Sequence, residues 1–212
     1  MTTTAWVLVA LVAVLAVADW WAVASDNRAL EYIAKPATLA VLVAVAIVLH
    51  PERSDQRTWF VIALVLSLAG DVFLMLPKDL FVPGLASFLL AHIAYTVGFD
   101  LHPGSTRALV GACLAVVAVG IVLAMRIITR VARGDDPSLL APVVTYMVVI
   151  SAMVASALAA GPLLAAGGAM LFYASDTLIA WDRFVRARSW MPLAIIVTYH
   201  LGQAALVLSL AS

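Results

Sequence analysis

The sequence predicts an all-α fold, a polytopic transmembrane helix bundle with eight spans. Three observations carry this. Of the 212 residues, 65% are hydrophobic and only 11% are charged, whereas about a quarter of the residues in a soluble domain are charged. The apolar residues gather into eight runs, each close to the ~20 residues that a spanning helix needs. The breaks between runs are short and polar or contain proline, and none could hold a soluble domain.

The first run, 5–24, stops at "SDNRALE". Ala22-Val23-Ala24 has the small residues of a leader cleavage site, but residues 1–4 carry no Lys or Arg and the run outlasts a leader core, so it is expected to remain as a span. The second run, 32–50, gives way to "HPERSDQR", and the third, 58–77, to "LPKD". The fourth, 81–100, meets "DLHPGSTR", and the fifth, 106–128, is followed by "TRVARGDDPS". Only Gly161-Pro162 divides the sixth run, 139–160, from the seventh, 162–184, which predicts a tight hairpin, and the eighth covers 190–211. Together they form one transmembrane domain, 1–212. Cys113 lies alone in an apolar run and is expected to pack as a small hydrophobe.

Charge sets the expected orientation. The loops after helices one, three, five and seven hold Arg28, Lys78, Arg126, Arg130, Arg133, Arg183, Arg186 and Arg188, against Arg53, Arg57 and Arg107 on the other side. The richer side should be cytoplasmic, with both termini outside, in a bacterial inner membrane. Net charge is zero, so no long-range field points to nucleic acid.

An internal repeat is suggested by offsets. Asp71 and Asp176 lie 105 apart, Pro36 and Pro142 106, and His92 and His200 108. Two halves, 1–104 and 105–212, would then be parallel four-helix repeats.

The functional question centres on Asp71, inside the apolar "SLAGDVFLML". An aspartate at mid-membrane depth costs about 2.5–3.5 kcal/mol on insertion scales. Counting along the expected orientation puts Asp19, Asp71 and Asp176 in the cytoplasmic half of their helices, and Lys35 in the same layer at the start of helix two. His92, Tyr199, His200 and Gln203 fall near mid-depth. Ionisable groups within a membrane usually face the bundle interior and pair there. Ser67 and Asp71 share a helix face, as do Tyr173, Asp176, Thr177 and Ala180. Asp19 and Asp182, close to helix ends, read as interfacial, and Lys35 as a counter-ion or a snorkelling lysine. The histidines could also be polar glue between helices. His50 and His102 sit beside prolines at helix ends and read as surface groups, while Trp6, Trp20, Trp21, Trp59, Trp181 and Trp190 suit an interfacial belt. Gly84, Gly167 and Gly168 suit close helix packing.

Several chemistries lack their motifs. No H-x-x-x-H suggests a metal site, no G-x-S-x-G a serine nucleophile, and no Gly-rich loop a phosphate cradle. The tyrosine–aspartate pair and G-x-G-D of an intramembrane aspartyl protease are also missing. Two readings stand on the residues: an aspartate acid–base enzyme, or a proton-coupled small-molecule or lipid transporter using the same aspartates.

Five stretches carry a resemblance: "KP" at 35–36, "GDVFLML" at 70–76, "GLASFLLAHIAYTVGF" at 84–99, "LFYASDTLIAWDRF" at 171–184 and "TYHLGQAALV" at 198–207. In this order they resemble the YhhN-like, or lysoplasmalogenase, family of eight-helix membrane proteins. His200 departs, standing where a second tyrosine is expected. The resemblance implies hydrolysis of the vinyl ether of a lysoplasmalogen, giving a fatty aldehyde and a glycerophospho-ethanolamine or -choline, with no cofactor. That chemistry needs a proton donor and negative charge near the developing oxocarbenium ion. In a low-dielectric bundle one carboxyl can be kept protonated by desolvation and another kept ionised by a nearby cation. Asp71 and Asp176 are expected to divide these duties, with Lys35, His92, Tyr173, Tyr199, His200 and Gln203 binding or supporting the lysophospholipid substrate.

Overall fold

The computed structural model describes residues 1–49, 54–100, 104–134 and 136–211, the side chain of Val119 apart. His50, Arg53 and His102, expected near helix ends, lie outside the described residues. Eight α-helices follow in order: α1 (Thr3–Ala24), α2 (Arg28–Val48), α3 (Ser54–Met75), α4 (Phe81–Asp100), α5 (Thr106–Ala132), α6 (Leu140–Ala160), α7 (Leu163–Phe184) and α8 (Met191–Leu208). Short 3₁₀ turns, Pro137–Leu139 and Ser209–Ala211, lead into α6 and follow α8.

Among the described residues, seven helices are each long and apolar enough to cross a membrane, and α5 is the eighth if its halves, Thr106–Ala118 and Gly120–Ala132, bent 50° apart, count as one span. Helix α1 turns Val7, Leu11, Val14 and Val17 outward, and α5 turns out Leu114, Val117, Ile121 and Val122. Such continuous apolar bands are a liability in water and natural against lipid tails. The chain is thus an integral multi-pass membrane protein. Cys113, expected to pack inside, is exposed on α5 with these residues.

Helix ends follow the local chemistry. Thr2, Asn27 and Ser105 each accept a hydrogen bond from a backbone N–H in the first turn of α1, α2 and α5. Pro83, Pro142 and Pro192 fall in first turns, where a missing N–H breaks no helical bond. Arg57 on α3 donates to the Leu49 carbonyl at 2.9 Å and so closes the end of α2. Gly161 turns α6 into α7 at φ 104°, a conformation that favours glycine.

Neighbours in sequence pack side by side: α1 on α2, α3 on α4, α5 on α6, and α7 on α8. Helix α4 also packs on α6, and α8 on α2, so the pairing recurs with a shift of four helices. Small residues set the closest crossings. A Cβ on Gly202 would stand 2.9 Å from the Gly168 carbonyl oxygen, so α7 and α8 nearly touch backbones. A Cβ on Gly84 would meet Leu74 at 2.5 Å. Gly167 has nothing within 4 Å and takes no part in packing, against expectation, because it faces away from α8.

Candidate active site

Asp71 and Asp176 are each held by two other helices. On α3, Asp71 takes the Lys35 ammonium of α2 at 3.4 Å on Oδ1 and the Tyr199 hydroxyl of α8 at 2.7 Å on Oδ2. Its side chain is 2% exposed, so this is a carboxylate removed from solvent and supplied with both a charge and a donor. Lys35 is therefore the counter-ion of Asp71. On α7, Asp176 accepts from the Tyr146 hydroxyl of α6 at 2.5 Å and lies 3.0 Å from His92 Nε2 of α4, both on Oδ2. Tyr146 and His92 also touch, at 2.9 Å. With Tyr146 giving its hydrogen to Asp176, His92 Nε2 must carry one to complete the triangle.

The two aspartates do not share a hydrogen bond. Phe172 links their surroundings, its ring edge-on to His92 at 4.7 Å and to Tyr199 at 5.3 Å. Phe88 packs against both Phe172 and Tyr199. A Cβ on Gly70, beside Asp71, would fall 2.6 Å from the Phe88 ring, so this glycine admits an α4 side chain.

An apolar slot opens beside Asp176. Leu74, Phe81, Leu85, Phe88, Ile127 and Ile150 line it, with Tyr146, Tyr173, Asp176, Thr177 and Ala180. The whole Tyr173–Ala180 face expected from helical spacing thus lines one wall. The slot is small, about 60 Å³, room for a few water- or methylene-sized groups. Asp71 does not line it.

The remaining expected residues separate. Gln203 accepts from the Tyr95 hydroxyl at 2.6 Å, one helical turn from Tyr199. Tyr173 lines the slot, its hydroxyl close to Gly120 of α5. His200 contacts neither catalytic candidate. Its Nδ1 accepts from the Trp20 indole N–H at 3.2 Å, and its Nε2 lies 3.8 Å from Asp19 Oδ2. Asp19 therefore faces neither lipid headgroups nor water. It is 0% exposed, because α1 runs on to Ala24 and turns this residue toward α8. Both its carboxylate oxygens lack hydrogen-bond partners. Trp20 likewise leaves the expected belt to point inward, whereas Trp6, Trp21 and Trp190 stay exposed. Asp182 is at the end of α7, where it accepts from the Arg188 N–H at 3.4 Å.

Tyr146 was not expected at the site. A lone hydroxyl in an apolar helix costs little and gives no signal by itself. The hint was available in the layer count, since Tyr146 falls two turns into α6 from the arginine-rich end, level with Asp176.

The fold and site together define a multi-pass helical membrane protein with two separately held carboxylates, one of them facing an apolar slot. The model of the YhhN family matches residues 30–210, and the chain belongs to that family. It is 35% identical over 147 residues to the Homo sapiens protein lysoplasmalogenase TMEM86B, covering 69% of this chain and 61% of that one. It is 37% identical over 169 residues to the lysoplasmalogenase of Mycobacterium tuberculosis, covering 77% of this chain and 64% of that one. The Mus musculus TMEM86B is 32% identical over 155 residues, covering 73% and 64%. The chain thus spans less than two thirds of the length of these curated relatives. No solved structure matches it.

Proposed function

We propose that this protein is a membrane-embedded ether hydrolase that cleaves the vinyl ether of a lysoplasmalogen. The observation that carries the reading is the placement of Asp176, held by Tyr146 and His92 on an apolar slot. Curated relatives named lysoplasmalogenase support it. In the reaction, a proton adds to the vinyl carbon next to the ether-bearing one and leaves an oxocarbenium ion. Water adds to that cation and loses a proton, and the hemiacetal collapses to a fatty aldehyde and the glycerol hydroxyl. Asp176 meets the reacting atoms and moves the proton. Asp71, one aromatic layer away, is the carboxylate kept ionised by Lys35, and its dipole with Lys35 and Tyr199 forms the fixed electrostatic surroundings of the site. Tyr146 and His92 orient Asp176, while Tyr199 and Gln203 belong to the Asp71 side.

The test is aldehyde release from lysoplasmalogen by purified protein in detergent, with a saturated ether lipid as control. A transporter shows no aldehyde there. Asp176→Asn is expected to lower kcat by about 10²–10⁴-fold, the range of a lost acid–base group, and Asp71→Asn by about 10²–10³-fold, that of a lost electrostatic group. Near wild-type turnover in the first variant overturns the assignment.

We infer also that the arginine-rich ends of α5 and α7 face the cytoplasm, in keeping with the charge bias, and that the membrane is a bacterial inner membrane. A duplicated four-helix unit is supported by the shifted helix pairing and by the way each aspartate is held. Helices α2 and α8 hold Asp71, and their counterparts four helices on, α6 and α4, hold Asp176.

A further inference from the structure

Arg183, in the last turn of α7, stands at the mouth of the slot. Its guanidinium lies over the Phe81 ring, 4.0 Å from the centroid, and donates to Asp79 Oδ2 of the α3–α4 loop at 2.9 Å. Phe81 and the neighbouring Phe184, edge to face at 5.7 Å, both line the slot. Lys78 shares a shallow recess with Arg183, and Arg130 and Arg133 share another with Phe184. The mouth therefore combines an aromatic collar with several cations, and Asp79 occupies one of them.

The Asp79–Arg183 pair is poorly placed to hold the fold. Arg183 is 36% exposed and Asp79 71%, and exposed pairs of this kind contribute little to stability. The hydrogen bond from Arg183 holds the Asp79 carboxyl below its usual range, so the loop carboxylate is charged at neutral pH and competes for the guanidinium. A guanidinium laid flat on an aromatic ring keeps its edge free for a planar fork of acceptors, the geometry that suits a phosphate.

The spacing fits. Arg183 follows Asp176 by seven residues on one helix, about 10 Å at ~1.5 Å per residue. In a lysoplasmalogen about seven bonds separate the vinyl carbon that takes the proton from phosphorus, roughly 8 Å at about 1.2 Å per bond in an extended chain. A charge-assisted hydrogen bond of about 2.8 Å closes the difference.

We propose that Arg183 is the phosphate-recognition residue of this site, exchanging Asp79 for the phosphodiester of a single-chain ether phospholipid whose vinyl ether reaches Asp176. The hydrolase reading fixes which bond lies at Asp176, and this inference rests on it there. Selectivity for phosphate-bearing over phosphate-free ether lipids then resides at the mouth of the slot and not at the aspartates.

The experiment compares lysoplasmalogen with a 1-alkenylglycerol of the same chain, in a maltoside detergent so that the substrate brings the only phosphate. Arg183→Gln should raise KM for lysoplasmalogen about ten-fold or more, leave its kcat within about two-fold, and leave 1-alkenylglycerol kinetics unchanged. Asp79→Asn breaks the same surface pair but frees the guanidinium, so it should lower KM for lysoplasmalogen alone. A pair that only braces the loop makes both variants worse on both substrates, which overturns the proposal. An Arg183 that meets only bilayer headgroups leaves both KM values at wild type in this detergent, which overturns it too. Binding of saturated, uncleavable analogues separates this inference from the hydrolase reading. The 1-alkyl lysophospholipid should raise the melting temperature of wild type and not of Arg183→Gln, while 1-alkylglycerol raises both equally. If wild type releases no aldehyde yet shows this difference, the hydrolase reading fails and the phosphate site stands. If the variant binds both analogues like wild type, the phosphate site falls whatever the activity.

Discussion

Tyr146 and His92 both address Oδ2 of Asp176, leaving Oδ1 without a protein donor among the described residues. One oxygen is tethered and the other is free for chemistry. Tyr146→Phe removes one of these two tethers and keeps the ring that lines the slot. A hydrogen bond to a charged group contributes about 1.5–3 kcal/mol, so kcat should fall about ten- to hundred-fold with KM near wild type. Steady-state aldehyde kinetics check this, and an unchanged kcat removes Tyr146 from the site. The residues differ in how far the sequence revealed them. Asp71, Asp176 and Lys35 were legible because a charge at membrane depth is costly, and depth could be counted from the helix ends. Tyr146 was not, since tyrosine pays no comparable penalty. Asp19 misled for the opposite reason: a position near a helix end suggests contact with headgroups, but which face it takes depends on the packing of α1 against α8.

At the scale of elements, α7 and α8 form the joint that holds both halves of the site, Asp176 on one helix and Tyr199 on the other. Their approach depends on Gly168 and Gly202, whose absent Cβ atoms leave the two backbones in contact. Gly202→Ala would place a methyl 2.9 Å from the Gly168 carbonyl and 3.0 Å from the Phe172 nitrogen. Backbone cannot yield as a side chain can. The expected cost is about 1–3 kcal/mol, seen as a lower melting temperature in detergent, with activity falling as Tyr199 moves off Asp71. Gly167→Ala, in open space one residue away, is the control and should melt like wild type or slightly higher. Equal melting of the two variants would refute the joint. Hydropathy located all eight helices, because spanning length is imposed by the bilayer. It could not tell Gly167 from Gly168, which differ only in which way each faces.

At the scale of the molecule, orientation and chemistry are linked through α5. The slot mouth, the Asp79–Arg183 pair and the arginines of α5 all lie at the ends of α3, α5 and α7. If α5 crosses the membrane as one bent span, Arg107 lies on the opposite face from Arg133, and Thr2 shares the face of Arg107. If its two halves dip in and return, Arg107 and Arg133 share a face and the charge bias across the chain loses its meaning. Single cysteines at positions 2, 107 and 133 decide between these, once exposed Cys113 has been replaced by alanine to remove its own reactivity. A membrane-impermeant maleimide added to intact cells should label positions 2 and 107 and leave 133 unlabelled until the membrane is opened. Labelling of 133 from outside, with 2 and 107 protected, would place the slot mouth in the outer leaflet. Labelling of 133 together with 2 and 107 would make α5 a re-entrant pair. In the expected arrangement the substrate phosphate approaches from the cytoplasmic leaflet, where Arg183 stands. The same positive charges that orient the chain during insertion then serve as the entrance to its site.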